Sequence, residues 1–246
     1  MAETANQDAV LDLQCSPWWC RGLRWLFFVC LVRPVILLGM GLAVRHQLRL
    51  PKQGPAVLVA NHNSHLDTLV LLSLFPLALL PRLRPVAAAD YFLKNRCLAW
   101  FSRYIIGIIP LNRGRAGKGE DPLAGCHQAL ARGDILILFP EGSRGEPEQM
   151  VAFKNGVAHL VRQHPDIPVL PIFMRGLGRA LPKGEWLLIP QFIDVVIGEE
   201  QTWSMVCAEN QNDKQHFVDE LRKAMDMLAA ELPPGHSYVA STTSDH

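Results

Sequence analysis

Metal-site spacings of cysteine are missing from this chain. Its six cysteines, Cys15, Cys20, Cys30, Cys97, Cys126 and Cys207, form no C-x-x-C pair, so a structural zinc site is not expected and reduced thiols in a cytosol-facing protein are. Charge is scarce as well. Only 19% of the residues are charged and the formal net charge is +1, so the total says nothing about partners. A G-x-x-x-x-G-K-[ST] loop is absent, and with it the basis for a Walker-type nucleotide hydrolase. No internal repeat is visible.

An uninterrupted membrane span is not expected either. Trp25 to Val44 has about the 20-residue length a spanning helix needs, but Arg33 and Pro34 fall near its middle. A central arginine costs roughly 2.5 to 3.5 kcal/mol on insertion scales, and proline breaks the hydrogen-bond ladder. The sequence predicts two short helices lying in the membrane interface. Trp18, Trp19 and Trp25 suit the headgroup boundary, and Arg21, Arg24, Arg33 and Arg45 can snorkel to lipid phosphates. From Trp18 to Leu50 there are five arginines and no acidic residue, a charge pattern that favours an anionic membrane surface over nucleic acid. The alternative is a helix pair that covers the core of a soluble domain. A cleaved signal peptide fits poorly, because Glu3, Asp8 and Asp12 precede the apolar stretch without a basic residue.

The organisation expected at 246 residues is one main domain: an N-terminal tail over 1–17, a membrane-associating helical segment over 18–50, an α/β domain over 51–232, and a disordered polar tail over 233–246. Within the domain, short apolar runs at 56–60, 105–110, 134–139, 168–173 and 194–198 read as strands. Helical patterns cover about 66–75, 91–103, 121–132, 153–163 and 213–232. This alternation predicts a mixed, mostly parallel central sheet flanked by helices.

Three segments carry candidate chemistry. In "NHNSHLD", His62 and Asp67 are five apart and meet only if the chain turns between a strand ending at Ala60 and a helix starting near Ser64 or Leu66. Asn63 or Ser64 would cap that helix. An aspartate on one ring nitrogen orients the imidazole and stabilises its protonated form, which leaves the other nitrogen as a general base. The bland reading makes both residues caps. In "FPEGSRGE", a strand feeds Glu141, Gly142, Ser143 and Arg144. Glycine lets backbone approach an anion, serine adds a hydroxyl, and arginine offers a fork to phosphate; a turn with a surface ion pair is the plain alternative. Arg113 in "GIIPLNR" follows a strand and can reach a cleft at the strand ends, or simply be solvated.

Together "NHNSHLD", "GIIPLNR", "FPEGSRGE" with the following "FKNG", and "PVLPI" resemble, in order and spacing, the four motifs of the glycerolipid acyltransferases, the group of 1-acylglycerol-3-phosphate acyltransferases. The resemblance covers about residues 55–200, and the first and third motifs are the specific ones. It implies that His62 is the general base and Asp67 its partner, that Arg113 binds the acceptor phosphate, and that Glu141, Gly142 and Arg144 complete the acceptor site. Pro171 would help shape the acyl channel. Ser143 stands where threonine is common and keeps the hydroxyl; Gly145 replaces a frequent serine; His65 falls at a variable position and reads as structural.

The implied reaction is direct transfer from an acyl thioester of coenzyme A or acyl carrier protein to a lysophospholipid, lysophosphatidate first, with no metal or redox cofactor. It implies membrane lipids as partners and a monotopic enzyme on the cytoplasmic face. The alternatives are a covalent route through Ser64, hydrolysis of the thioester, and a non-catalytic protein that binds anionic lipid.

Overall fold

The most continuous apolar runs lie at the centre of a sheet. The computed structural model describes residues 16–89, 95–111, 121–143, 150–180, 189–208 and 213–233. Its strands are β1 (Gly41–Arg45), β2 (Ala56–Ala60), β3 (Leu83–Ala88), β4 (Ile109–Leu111), β5 (Ile135–Leu138), β6 (Val169–Arg175) and β7 (Phe192–Ile197). They form one sheet in the order β1-β7-β6-β2-β5-β3-β4. β2 pairs in parallel with β5 and β6, and β3 in parallel with β5 and β4. β7 is antiparallel to β6, and β1 runs parallel to β7. The mixed, mostly parallel sheet is the expected one.

Every residue of β2 is buried because helices cover both faces, as continuous strand hydrophobicity requires. The helices are α1 (Trp18–Phe27), α2 (Arg33–Gly39), α3 (Leu66–Ser73), α4 (Arg96–Phe101), α5 (Ala124–Ala131), α6 (Gly156–Arg162), α7 (Leu177–Ala180), α8 (Trp203–Val206) and α9 (Lys214–Ala230). Leu58 joins an apolar cluster with Phe28, Ile36 and Leu71 on one side. Its neighbours Val57 and Val59 join Leu130, Leu160 and Leu221 on the other. The period of two along the strand thus separates the two cores.

The N-terminal segment departs from expectation in three ways. The two α-helical pieces are present, but no loop parts them: a π turn over Phe28–Val32 joins α1 to α2, giving a helical run of 22 residues. The π turn lies directly ahead of Pro34, where the ring would otherwise meet the carbonyl of the preceding turn. It also realigns the buried face. Cys20, Arg24, Phe28, Val32, Ile36 and Met40 recur every four residues and are all buried, a spacing that drifts around a 3.6-residue helix unless a wider turn is inserted. Second, the segment expected to be helical to residue 50 contains β1, which pairs with β7 from Gly41 opposite Phe192 to Arg45 opposite Val196. Third, three of the four arginines expected to snorkel are engaged by the protein. Arg24 is 4% exposed and donates to the Ile106 carbonyl at 3.3 Å; Arg33 donates to the Phe75 carbonyl at 2.7 Å and Arg45 to the Glu231 carbonyl at 2.8 Å. Arg21 stays exposed.

The run read as a strand over 105–110 is split. A π turn over Ser102–Ile106 extends α4, Gly107 ends it at φ +87°, and only then does β4 begin. Glycine supplies that left-handed turn without a steric penalty. The sequence does not predict β3, whose apolar pattern Arg84 and Pro85 interrupt; both are nonetheless buried and pair with β5, while β4 pairs with the strand only from Val86 on. The first fifteen residues and most of the expected C-terminal tail lie outside the described residues.

Candidate active site

The sheet order sets β2 beside β5, so the loops leaving their C-terminal ends are neighbours, the usual place for a ligand in an open α/β sheet. Asn61, the first residue after β2, extends the pairing with β6 through its side chain. Its amide donates to the Met174 carbonyl at 2.8 Å and accepts the Met174 N–H at 2.7 Å. Asn63 adds a longer bond to the same carbonyl. With both amides anchored and buried, the chain turns out of the sheet between them, and His62 is left on the turn.

α3 starts at Leu66, and Asp67 in its first turn points back at that turn. Asp67 Oδ2 lies 3.0 Å from His62 Nδ1 and accepts the backbone N–H of Asn63 at 2.6 Å and of Ser64 at 2.8 Å. The cap is therefore the reverse of the one expected: the aspartate side chain reaches back to the turn, while Ser64 Oγ accepts the Leu66 N–H at 3.3 Å. Burial pushes the Asp67 carboxyl upward; the His62 bond and charge and the two backbone donors pull it down. Three donors on one oxygen call for the carboxylate, since only an acceptor serves them all. The same network assigns the His62 proton to Nδ1 and leaves Nε2 as the basic nitrogen. His62 keeps 18% of its side chain exposed and Asp67 none.

The loop after β5 closes on this turn from the other side. Phe139 stacks on the His62 ring with centroids 4.2 Å apart. Glu141 Oε1 accepts the backbone N–H of His62 at 3.0 Å, and Oε2 accepts a long 3.5 Å bond from the Val151 N–H. Burial pushes the Glu141 carboxyl up; the His62 and Val151 donors and the His62 charge oppose it, and the Asp67 charge adds to it. Gly142 sits at φ +76°, where a Cβ would come within 2.7 Å of Lys154 Nζ. The conformation favours glycine here, whereas the contact is with the end of a flexible side chain that can move. Lys154 is fixed by its backbone bond to the Pro140 carbonyl at 2.9 Å, and its ammonium group lies over the turn. Ser143 follows, exposed.

The structure thus joins His62 and Asp67 directly, ties Glu141 to the His62 backbone, and sets Gly142 and Ser143 in the adjoining loop. Arg113 and Arg144 lie outside the described residues. Pro171 sits in β6 opposite Val59, with its carbonyl taken by the Gly198 N–H at 2.8 Å. Ser64 is fully buried. Among the described residues no group of three or more His, Cys, Asp or Glu side chains is arranged to hold a metal ion.

Several residues that shape the site escaped sequence reasoning. Phe139 carried a signal, as the aromatic that opens the motif "FPEGSRGE". Lys154 had one too, in the short motif that follows. Arg222 on α9 had none: it donates to the Val151 and Met150 carbonyls at 2.9 and 3.3 Å and lies over the Phe153 ring at 5.3 Å. It thereby braces the segment that faces Glu141.

The Acyltransferase family model matches residues 41–175, a span that contains His62, Asp67, Glu141 and Lys154 but not Arg222. The chain is 32% identical over 139 residues to a mouse 1-acyl-sn-glycerol-3-phosphate acyltransferase alpha, covering 56% of this chain and 46% of that protein. It is 32% identical over 188 residues to a Chlamydomonas reinhardtii 1-acyl-sn-glycerol-3-phosphate acyltransferase, covering 75% of this chain and 50% of that one. The chain spans about half the length of these curated relatives. Its fold resembles the crystal structure of the 1-acyl-sn-glycerophosphate acyltransferase of Thermotoga maritima, with a TM-score of 0.66 at 21% identity over 87% of this chain and 81% of that one.

Proposed function

The chain belongs to the Acyltransferase family, and we propose that it moves a fatty acyl group from a thioester of coenzyme A or acyl carrier protein to the free hydroxyl of a lysophospholipid, 1-acyl-sn-glycerol-3-phosphate foremost. The observation that carries this reading is the 3.0 Å contact between His62 Nδ1 and Asp67 Oδ2, which leaves Nε2 to take a proton. Relatives named for this acceptor support the choice of substrate.

In the proposed reaction Nε2 of His62 removes the proton of the acceptor hydroxyl as its oxygen attacks the thioester carbonyl. Asp67 holds the imidazolium that results. Collapse of the tetrahedral intermediate breaks the C–S bond, and the departing thiolate takes the proton back from Nε2. A new C–O ester bond replaces the thioester, and no metal or redox cofactor enters the balance. The backbone N–H groups of Asn63 and Ser64 are occupied by Asp67, which assigns them to orienting the base. Lys154, Ser143, Arg113 and Arg144 supply the donors for the acceptor phosphate.

The same reading puts the enzyme on a membrane, monotopic and on the cytoplasmic face. Trp18 and Leu38, 84% and 87% exposed, bracket an outward row with Trp25, Leu31 and Leu37, an apolar surface of the kind that lies in a lipid interface. The helical run is long and apolar enough to cross a bilayer, but its buried stripe is seated on the sheet's own core, which favours lying along the surface.

The test is product analysis with labelled acyl-CoA and acyl carrier protein thioester in vesicles, with and without lysophosphatidate. Phosphatidate formed only with acceptor supports the proposal. Free fatty acid formed at the same rate without acceptor would make the chain a hydrolase.

A further inference from the structure

A cavity of about 210 Å³ opens between α1 and the turn at 77–82, lined by Ser16, Arg21, Arg24, Trp25, Leu80 and Tyr104 among others. Arg24 is the anomaly in its wall. It is 4% exposed, and of its donors only Nη2 is used, in the 3.3 Å bond to the Ile106 carbonyl. Nε and Nη1 are buried without a partner among the described residues. Such donors are normally matched by an acceptor, and a buried charge by a counter-charge. Among the described residues none that lines the wall is acidic, and the chain carries no carboxylate from Ser16 up to Asp67. Burial and the nearby positive charge of Arg84 lower the Arg24 guanidinium to about 9. An anion would match these donors and the charge together.

We propose that this cavity is a phosphate-binding site, filled by the phosphate of a membrane lipid headgroup or by a soluble phosphate, and separate from the site around His62. Arg21 and Arg24 are three apart on α1, share a face and both line the cavity, the first exposed and the second buried. A planar fork suits phosphate oxygens. The cavity has the volume of several water molecules at about 30 Å³ each, room for a phosphate group. Trp18, Trp19 and Trp25 on the same helix are exposed, which sets the cavity mouth at headgroup depth if the membrane reading holds. The site rests on that reading only for the source of its ligand.

The experiment is thermal unfolding of the full chain in a neutral detergent, with no acyl donor present. Inorganic phosphate and dihexanoyl phosphatidylglycerol below its micelle concentration are titrated, with acetate at matched ionic strength as control. The wild type is expected to gain melting temperature saturably with at least one phosphate probe and to ignore acetate. Arg24→Met should bind that probe at least tenfold more weakly, and Arg21→Gln, at an exposed position, should weaken it by a smaller factor. A response to both probes identifies soluble phosphate as sufficient; a response to phosphatidylglycerol alone identifies the lipid. No saturable shift in the wild type, an equal shift with acetate, or unchanged affinity in Arg24→Met overturns the site. Should Arg24→Met fail to fold, unchanged affinity in Arg21→Gln overturns it. Acyl transfer measured on the same preparations can fail or succeed independently.

Discussion

Glu141 accepts the backbone N–H of His62 at 3.0 Å across a separation of 79 residues. One carboxylate therefore connects the loop after β5 to the turn that carries His62, and a motif that reads as a substrate loop also fixes the peptide plane of that residue. Glu141 is buried, and burial holds its carboxyl above the usual carboxylate range.

That shift has a sign. A carboxyl whose folded pKa is raised binds its proton more tightly in the folded state, so its contribution is fully present below the unfolded pKa and is lost as pH climbs through the raised value. Glu141→Gln keeps an oxygen for the His62 N–H and removes the titration. The urea midpoint of Glu141→Gln relative to wild type should therefore rise between about pH 4 and about pH 7, the side of the ordinary carboxylate pKa on which the shift acts. A constant difference across that range would contradict the assignment.

Asp67→Asn replaces a group that only accepts with one that also donates. Its oxygen can still serve the Asn63 and Ser64 N–H groups, but His62 loses the anion that holds its Nδ1 proton. We expect kcat to fall by about 10²- to 10⁴-fold, the range of one general-base contribution, with KM for the acceptor little changed. Steady-state kinetics with both substrates varied checks this; a loss confined to KM would place Asp67 in binding.

Arg222→Met removes two bonds to the Val151 and Met150 carbonyls and the cation over Phe153. The cost expected in chemical denaturation is about 1 to 2 kcal/mol, two partly exposed hydrogen bonds at the lower end of their range. Because the braced segment faces Glu141, kcat should drop as well. A stability loss with full activity would mean that the segment at 150–153 has no hold on the site.

Thiol labelling tests the membrane face. Cys30 and Cys97 are exposed, whereas Cys20, Cys126 and Cys207 are buried; burial raises the Cys126 thiol to about 12. In native protein an alkylating reagent should modify Cys30 and Cys97 quickly and Cys126 only after denaturation. Anionic vesicles should protect Cys30, which precedes the exposed Leu31 on the helical run. Undiminished Cys30 labelling on vesicles would remove that face from the lipid.

Local patterns made much of the sheet legible. β2 and β5 are short runs of branched aliphatic residues, and the turn at 61–65 follows from an odd spacing that neither strand nor helix accommodates. β1 was hidden because it continues an apolar segment with no break in hydrophobicity; only Gly39 and Gly41 mark the change. β3 was hidden by Arg84 and Pro85; β4 pairs with it only from Val86 on, so Pro85 has a strand neighbour on one side alone, where a missing N–H is tolerated. Local spacing brought His62 and Asp67 together, but the bonds from Glu141 to His62 and from Arg222 to Val151 span 79 and 71 residues. Such contacts depend on the order of strands in the sheet, which periodicity does not encode.

The central claim is that Nε2 of His62 takes the acceptor proton. The direct test is acyl transfer from labelled acyl-CoA to lysophosphatidate in vesicles, comparing wild type with His62→Ala after both are shown to be folded. The account predicts phosphatidate from the wild type and a loss of about 10²- to 10⁴-fold in kcat for the variant. Transfer at the wild-type rate by a folded His62→Ala protein would contradict it.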